Sequence, residues 1–223
     1  RGILYKEGSE MEILRAGISA SPVAEPVAAE FKFESLSSGG IISGTGRGFS
    51  DGRGCYRIVF FTIFGKALDI YVGPDSFYAY SSSEDKYFRG SSEDDSFLPG
   101  FPVGKEAAAT IVSGIPSFGG IYKNTVFEGL EKGHLVFSGS GYTANISTGG
   151  FLLRISSGSW SADFKKYRES DDAFRAKNIS LDYPSGKIYF EFTRRDVGTI
   201  PSETEMVPSF VVNRQNTGSL SGN

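Results

Sequence analysis

At 223 residues the chain is long enough for one sizeable domain, or two small ones, with a real core. Glycine at 29 residues beside 14% aromatic content favours many strands joined by tight turns. A net charge of −3 and a pI near 5.4 are the reverse of the basic footprint that phosphate backbones select, so nucleic acid is not an expected partner.

In chain order, the first predicted element is a helix over about residues 9–19, where Ser9 and Glu12 have capping-box spacing. Met11, Leu14 and Ile18 fall on one face of it. The stretch SASPVAEPVAAE carries two prolines among small residues and reads as an extended connector. Phe31 and Phe33 then alternate with Lys32 and Glu34, and GIISGTGRGFS follows a Gly-Gly turn, the pattern of a hairpin. Turn residues recur at 50–54, 73–76, 131–133, 147–150 and 183–186. Between them lie LVFSGSGYTANI, FLLRISSGSW, NISLDY and KIYFEF, the last with Ile188, Phe190 and Phe192 on one face. A second helix is predicted over about 105–113, with Gly114 able to end it in the left-handed conformation and Pro116 preventing its resumption. The expected domain covers 1–214, and the Ser/Gly/Asn-rich segment 215–223 reads as a flexible tail.

Two features of the strands need a reason. The run CYRIVFFTIF is apolar on both faces, with Ile58 and Phe60 pointing one way and Val59, Phe61 and Ile63 the other, so something apolar must lie against each side. Gly44, Gly46 and Gly48 share one face of their strand, and the spacing lacks the following helix of a dinucleotide loop. A helix crossing closely over them, or a sharp bend of the sheet, accounts for them better.

Groups that carry chemistry are sparse. His134 is the only histidine and flanks a turn, no Gly-x-Ser-x-Gly occurs, and Ser140 lacks the first glycine of that motif. Cys55 stands alone inside a predicted strand and reads as a small buried hydrophobe. The acidic clusters at 84–85, 93–95 and 171–172 lack calcium-loop spacing and read as solvated faces. Asn145 and Asn178 begin glycosylation triplets of a kind frequent by chance. An enzyme is therefore not expected, and no cofactor or metal is implied. No run approaches the ~20 apolar residues of a membrane-spanning helix. The apolar strands fit either a sheet that encloses a cavity for a hydrophobic guest or a closed barrel filled by its own side chains.

The succession FKFESLSSGGIISGTGRGFSDGRGCYRIVFFTIFGKALDIYV, GFPVGKEAAATIVSGIPSF and RAKNISLDYPSGKIYFEF resembles the LolA/LolB-like lipoprotein-localisation factors, LolB-type proteins above all, over about residues 30–193. The resemblance implies a mainly β fold, a half-open antiparallel β-barrel of about ten or eleven strands with a helical lid. It implies a carrier that holds acyl chains of lipids or lipoproteins and passes them to the outer-membrane surface, with a periplasmic carrier protein as a possible partner. The compartment implied is the periplasm, or the periplasmic face of the outer membrane of a Gram-negative bacterium, with a lipid anchor on the full-length protein. The residues expected to line the cavity are Phe31, Phe33, Ile58, Phe60, Leu68, Ile70, Leu135, Phe137, Leu153, Ile155, Ile188, Phe190 and Phe192. Phe64 stands where the family carries a protruding leucine, and is expected to touch membrane or cargo. The alternative is an outer-membrane-associated lipoprotein that uses the fold as a protein-interaction module with a filled core.

Overall fold

A computed structural model describes residues 5–19, 25–92, 97–98, 101–102, 104–114, 125–139, 141–158, 160–170 and 173–211. The expected tail at 215–223, Pro116, Ser140, the side chain of Ile18 and the acidic clusters at 93–95 and 171–172 lie outside these residues. Helix α1 (Glu10–Ser19) is followed by six strands: β1 (Pro26–Ser37), β2 (Gly40–Asp51), β3 (Tyr56–Thr62), β4 (Gly65–Val72), β5 (Ser76–Ser81) and β6 (Lys86–Ser91). A short pair, β7 (Phe97–Leu98) and β8 (Phe101–Pro102), precedes helix α2 (Lys105–Ser113). Then come β9 (Val126–Glu131), β10 (His134–Gly139), β11 (Tyr142–Ser147), β12 (Leu152–Ser157), β13 (Trp160–Ser170), β14 (Ala173–Tyr183), β15 (Gly186–Val197) and the short helix α3 (Glu203–Met206).

Thirteen strands form one antiparallel sheet, in the order β6-β5-β4-β3-β2-β1-β15-β14-β13-β12-β11-β10-β9. The chain meanders from hairpin to hairpin, and a single long-range pairing, β1 with β15, joins the two arms at the centre. The sheet curls around one apolar core and stays open between its edges β6 and β9, as a half-barrel.

The strand count exceeds the ten or eleven that the resemblance implies, and some predicted runs turn within themselves. LVFSGSGYTANI folds back at Gly141, whose φ is +82°, into β10 and β11. FLLRISSGSW folds back near Gly158 into β12 and β13. The acidic stretch after Ser81 is a tight turn at Asp85 (φ +49°) that continues into β6. The expected connector is likewise partly strand: β1 starts at Pro26, where a residue without an N–H is tolerated because it opens the strand.

At α1 the expected capping box does not form. The Ser9 hydroxyl donates back to the Lys6 carbonyl, and the Glu10 carboxylate accepts from the Gly8 amide and the Tyr5 hydroxyl. Ile13 and Leu14 are the buried positions, with Met11 exposed, so the helix is turned by about one position from the predicted stripe. Helix α2 ends at Gly114 in the left-handed conformation (φ +74°), its amide donating to the Thr110 carbonyl.

One of the two expected causes of the glycine row is the helix that crosses it. A Cβ on Gly48 would stand 3.0 Å from Val112 of α2, which crosses the inner face of β1, β2 and β3. On Gly44 it would strike the backbone carbonyl oxygen of Phe61, beside the register shift between Phe60 and Phe61.

Candidate functional site

The two-sided apolar run is covered on its inner face, and on its outer face at Val59 but not at Ile63, which is exposed, with Phe61 half-buried between them. Its pairs Gly48↔Ile58 and Gly46↔Phe60 turn Ile58 and Phe60 inward with Tyr56, toward α2 and the core. Val59, also buried, faces outward, where α3 packs against β2 and β3. An ionic clamp fixes that outer layer. Arg57 donates from Nε and Nη2 to the two carboxylate oxygens of Asp69, at 3.0 and 2.9 Å. Its Nη1 donates to the carbonyls of Thr204 and Glu205 at 2.8 Å each, and Lys66 is a second cation on Asp69, at 3.0 Å. Ser202 and Glu205 close a capping box at the start of α3. The letters SETE, residues 202–205, carry that signal in the sequence.

On the inner face, every residue expected to line a cavity except Leu153 belongs to one buried cluster. Leu153 is half-buried, and Leu152 takes the inward position. The cause is a shift of register between Asn145 and Ile146, which pairs Ile146 with Leu152 and Ala144 with Ile155 and so places two inward residues three apart. At the centre Phe31 meets Phe60, Phe190 and Phe192 edge to face, with ring centroids 5.8, 5.3 and 5.7 Å apart. Phe33 meets Phe60 at 5.0 Å.

A cavity of about 740 Å³ opens where the inner face meets the end of the sheet. Residues lining it include Tyr142, Trp160 and Tyr183 with Ser157, Ser161 and Asp182. None of the expected lining residues borders it. A second cavity, of about 450 Å³, is lined by Lys32, Lys165, Asn178, Tyr189 and Glu191 together with Phe33 and Phe190, so two of the expected lining residues border it.

The antiparallel order returns the β1–β2, β3–β4, β5–β6, β10–β11, β12–β13 and β14–β15 turns to one end of the sheet. The aromatic cavity is at this end, and so is the β3–β4 tip, where Ile63 and Phe64 are 91% and 93% exposed. Ile41 and Ile42, on the adjacent β1–β2 hairpin, are exposed as well.

The groups considered for chemistry do not converge. His134 is exposed on β10, and Asn145 and Asn178 lie within strands. Cys55 precedes β3 instead of lying inside a strand, and burial pushes its thiol pKa up, away from the thiolate. Burial likewise pushes neighbouring Tyr71 up to about 12. Among the described residues no group of histidine, cysteine or carboxylate side chains is placed to hold a metal, and no helix is long and apolar enough to cross a membrane.

No family model matches the sequence, and no curated protein matches it. Solved structures do. A domain from Vibrio parahaemolyticus described as an outer membrane lipoprotein-sorting protein aligns with a TM-score of 0.60 at 13% identity, over 92% of this chain and 98% of its own. A LolA superfamily protein from Nitrosomonas europaea aligns at 0.61 and 8% identity, over 88% and 98%. A DUF1329 family protein from Desulfovibrio piger aligns at 0.59 and 10% identity, over 91% and 98%. The open antiparallel half-barrel with a helix across its inner face is therefore the LolA/LolB-like fold.

Proposed function

We propose that this protein is a non-enzymatic carrier that holds acyl chains of lipids or lipoproteins on the inner face of its half-barrel and passes them to the outer-membrane surface. The reading places it in the periplasm or on the periplasmic face of the outer membrane, anchored by lipid in full-length form, with a periplasmic carrier protein as donor. The observation that carries it is the β3–β4 tip: two large apolar side chains, Ile63 and Phe64, stand in solvent at the end of the sheet where the inner face opens. Exposed apolar groups that serve no packing mark contact with a membrane or an apolar ligand. A carrier needs such a surface and no catalytic groups. Each buried CH₂ of an acyl chain is worth about 0.8 kcal/mol, so a long chain leaving a bilayer for water costs on the order of 10 kcal/mol. An apolar inner face nearly cancels that cost.

The edge-to-face packing of Phe31, Phe33, Phe60, Phe190 and Phe192 favours a second reading, an outer-membrane-associated lipoprotein whose core is filled and whose surface binds a protein. One experiment separates the two. Native mass spectrometry of the purified protein, with organic extraction of the same sample and titration by a fluorescent fatty acid, should reveal bound lipid or saturable probe uptake. Lipid-free protein that takes up no probe, and that captures a stable protein partner in a pull-down, would replace the first reading by the second.

A further inference from the structure

Two arginines of this chain use the same edge of the guanidinium in different surroundings. In Arg57 the parallel Nε–H and Nη2–H bonds grip both oxygens of Asp69, the side-on fork that matches a carboxylate or phosphate. Arg195, on β15, presents the same fork inside the protein. It pairs with Ala29, a core residue, and so shares the inner face. The residue as a whole is half-buried, but Nε and Nη2 are shut off from solvent.

The rest of that guanidinium is occupied. Its Cζ stacks 3.6 Å from the centre of the Phe192 ring. Gly114, the end of α2, lies directly against it, because a Cβ there would fall 2.3 to 2.4 Å from Cζ and both terminal nitrogens. Nη1 donates to the Ala176 carbonyl at 2.9 Å. Among the described residues nothing accepts from Nε or Nη2, and no carboxylate forms an ion pair with Arg195. The Thr110 hydroxyl, one helical turn before Gly114 on the same side of α2, is also buried without a described partner.

A buried cation with its fork unused costs stability. Burial, and then the neighbouring Arg175, push its pKa down to about 9, which still leaves it charged at neutral pH. Arg175 donates from Nη1 to the Ser113 carbonyl at 2.8 Å and so offsets the negative end of α2 beside the fork.

We infer that the inner face takes an amphiphile headed by an oxyanion, a carboxylate or a phosphate, gripped by the Nε/Nη2 fork of Arg195 under the C-terminal end of α2. The inference rests on the carrier reading and narrows its cargo to anionic amphiphiles. The charge-assisted pair gives affinity, and the neutral chain would bind without it.

The test compares three probes with one chain length, palmitate, monohexadecyl phosphate and hexadecanol, by displacement of a fluorescent fatty acid from the full chain. At least one anion should bind about tenfold more tightly than hexadecanol or better. The tighter of the two identifies the head as carboxylate or phosphate. Arg195→Met should bring the ratio of anion to hexadecanol affinity to about one, and Arg195→Lys should restore only part of that ratio. Equal binding of all three probes overturns the oxyanion site and leaves the carrier reading standing, whereas binding of none overturns both. Should Arg195→Met fail to fold, ¹³C-carboxyl palmitate bound to the unaltered protein decides the matter for a carboxylate head. A carboxylate in the fork titrates below its value in water, and one held in hydrocarbon alone titrates above it. The corresponding ³¹P titration of monohexadecyl phosphate decides it for a phosphate head.

Discussion

Replacing Phe64 by glutamate tests the proposed delivery surface without touching the core. The side chain is 93% exposed and its backbone amide bonds only the hydroxyl of Thr62, at 3.3 Å, so folding draws nothing from the ring. Thermal stability should then stay within about 0.5 kcal/mol of the native protein. Transfer of a phenylalanine side chain from water into hydrocarbon is worth about 1.5–3 kcal/mol, which corresponds to roughly ten- to hundredfold in partitioning. Glutamate forfeits all of this. Co-sedimentation with liposomes of Phe64→Glu should therefore fall by about that factor, with acyl-probe binding and melting temperature unchanged. Ile63→Glu at the neighbouring position should behave alike, and the pair together should lose more than either alone. Undiminished liposome binding by a folded Phe64→Glu protein would refute the assignment of the tip to membrane contact.

The remaining predictions concern the frame that holds the site. Gly44→Ala should lose about 1–3 kcal/mol, because the new methyl meets the Phe61 carbonyl oxygen, which is backbone and yields little, whereas Gly39→Ala should change nothing measurable by chemical denaturation. Leu152→Ala should cost about 2–5 kcal/mol and Leu153→Ala well under that, a difference in denaturant midpoint that reads the bulge of β12 directly. Asp69 is fully buried, so Asp69→Ala strands the Arg57 guanidinium and should cost about 3–5 kcal/mol, with faster hydrogen exchange in α3 and at Val59 as its local signature.

Much of the frame is legible in the letters because it is local. The alternation in KIYFEF places Ile188, Phe190 and Phe192 on one face whatever lies beside the strand, and all three are buried. Helix α2 can be read from Ala107, Ala108, Ile111 and Val112 with Gly114 behind them, since cap and stripe sit within a few residues of each other. Phe64 between two strands could be picked out as a tip for the same reason.

What escaped the sequence depends on partners far along the chain or on register. A bulge turns Leu152 inward in place of Leu153, and no single-strand pattern contains the shift of the neighbouring strand that causes it. The outer cover of β3 comes from residues near 205, about 150 positions away, and only the tertiary fold brings those carbonyls to Arg57. Arg195 reads in TRRDV as one charge of an exposed pair. The pairing of β15 with β1 and the end of α2 carry it inside, because a residue's face is written locally whereas what covers that face is decided by elements folding back from elsewhere.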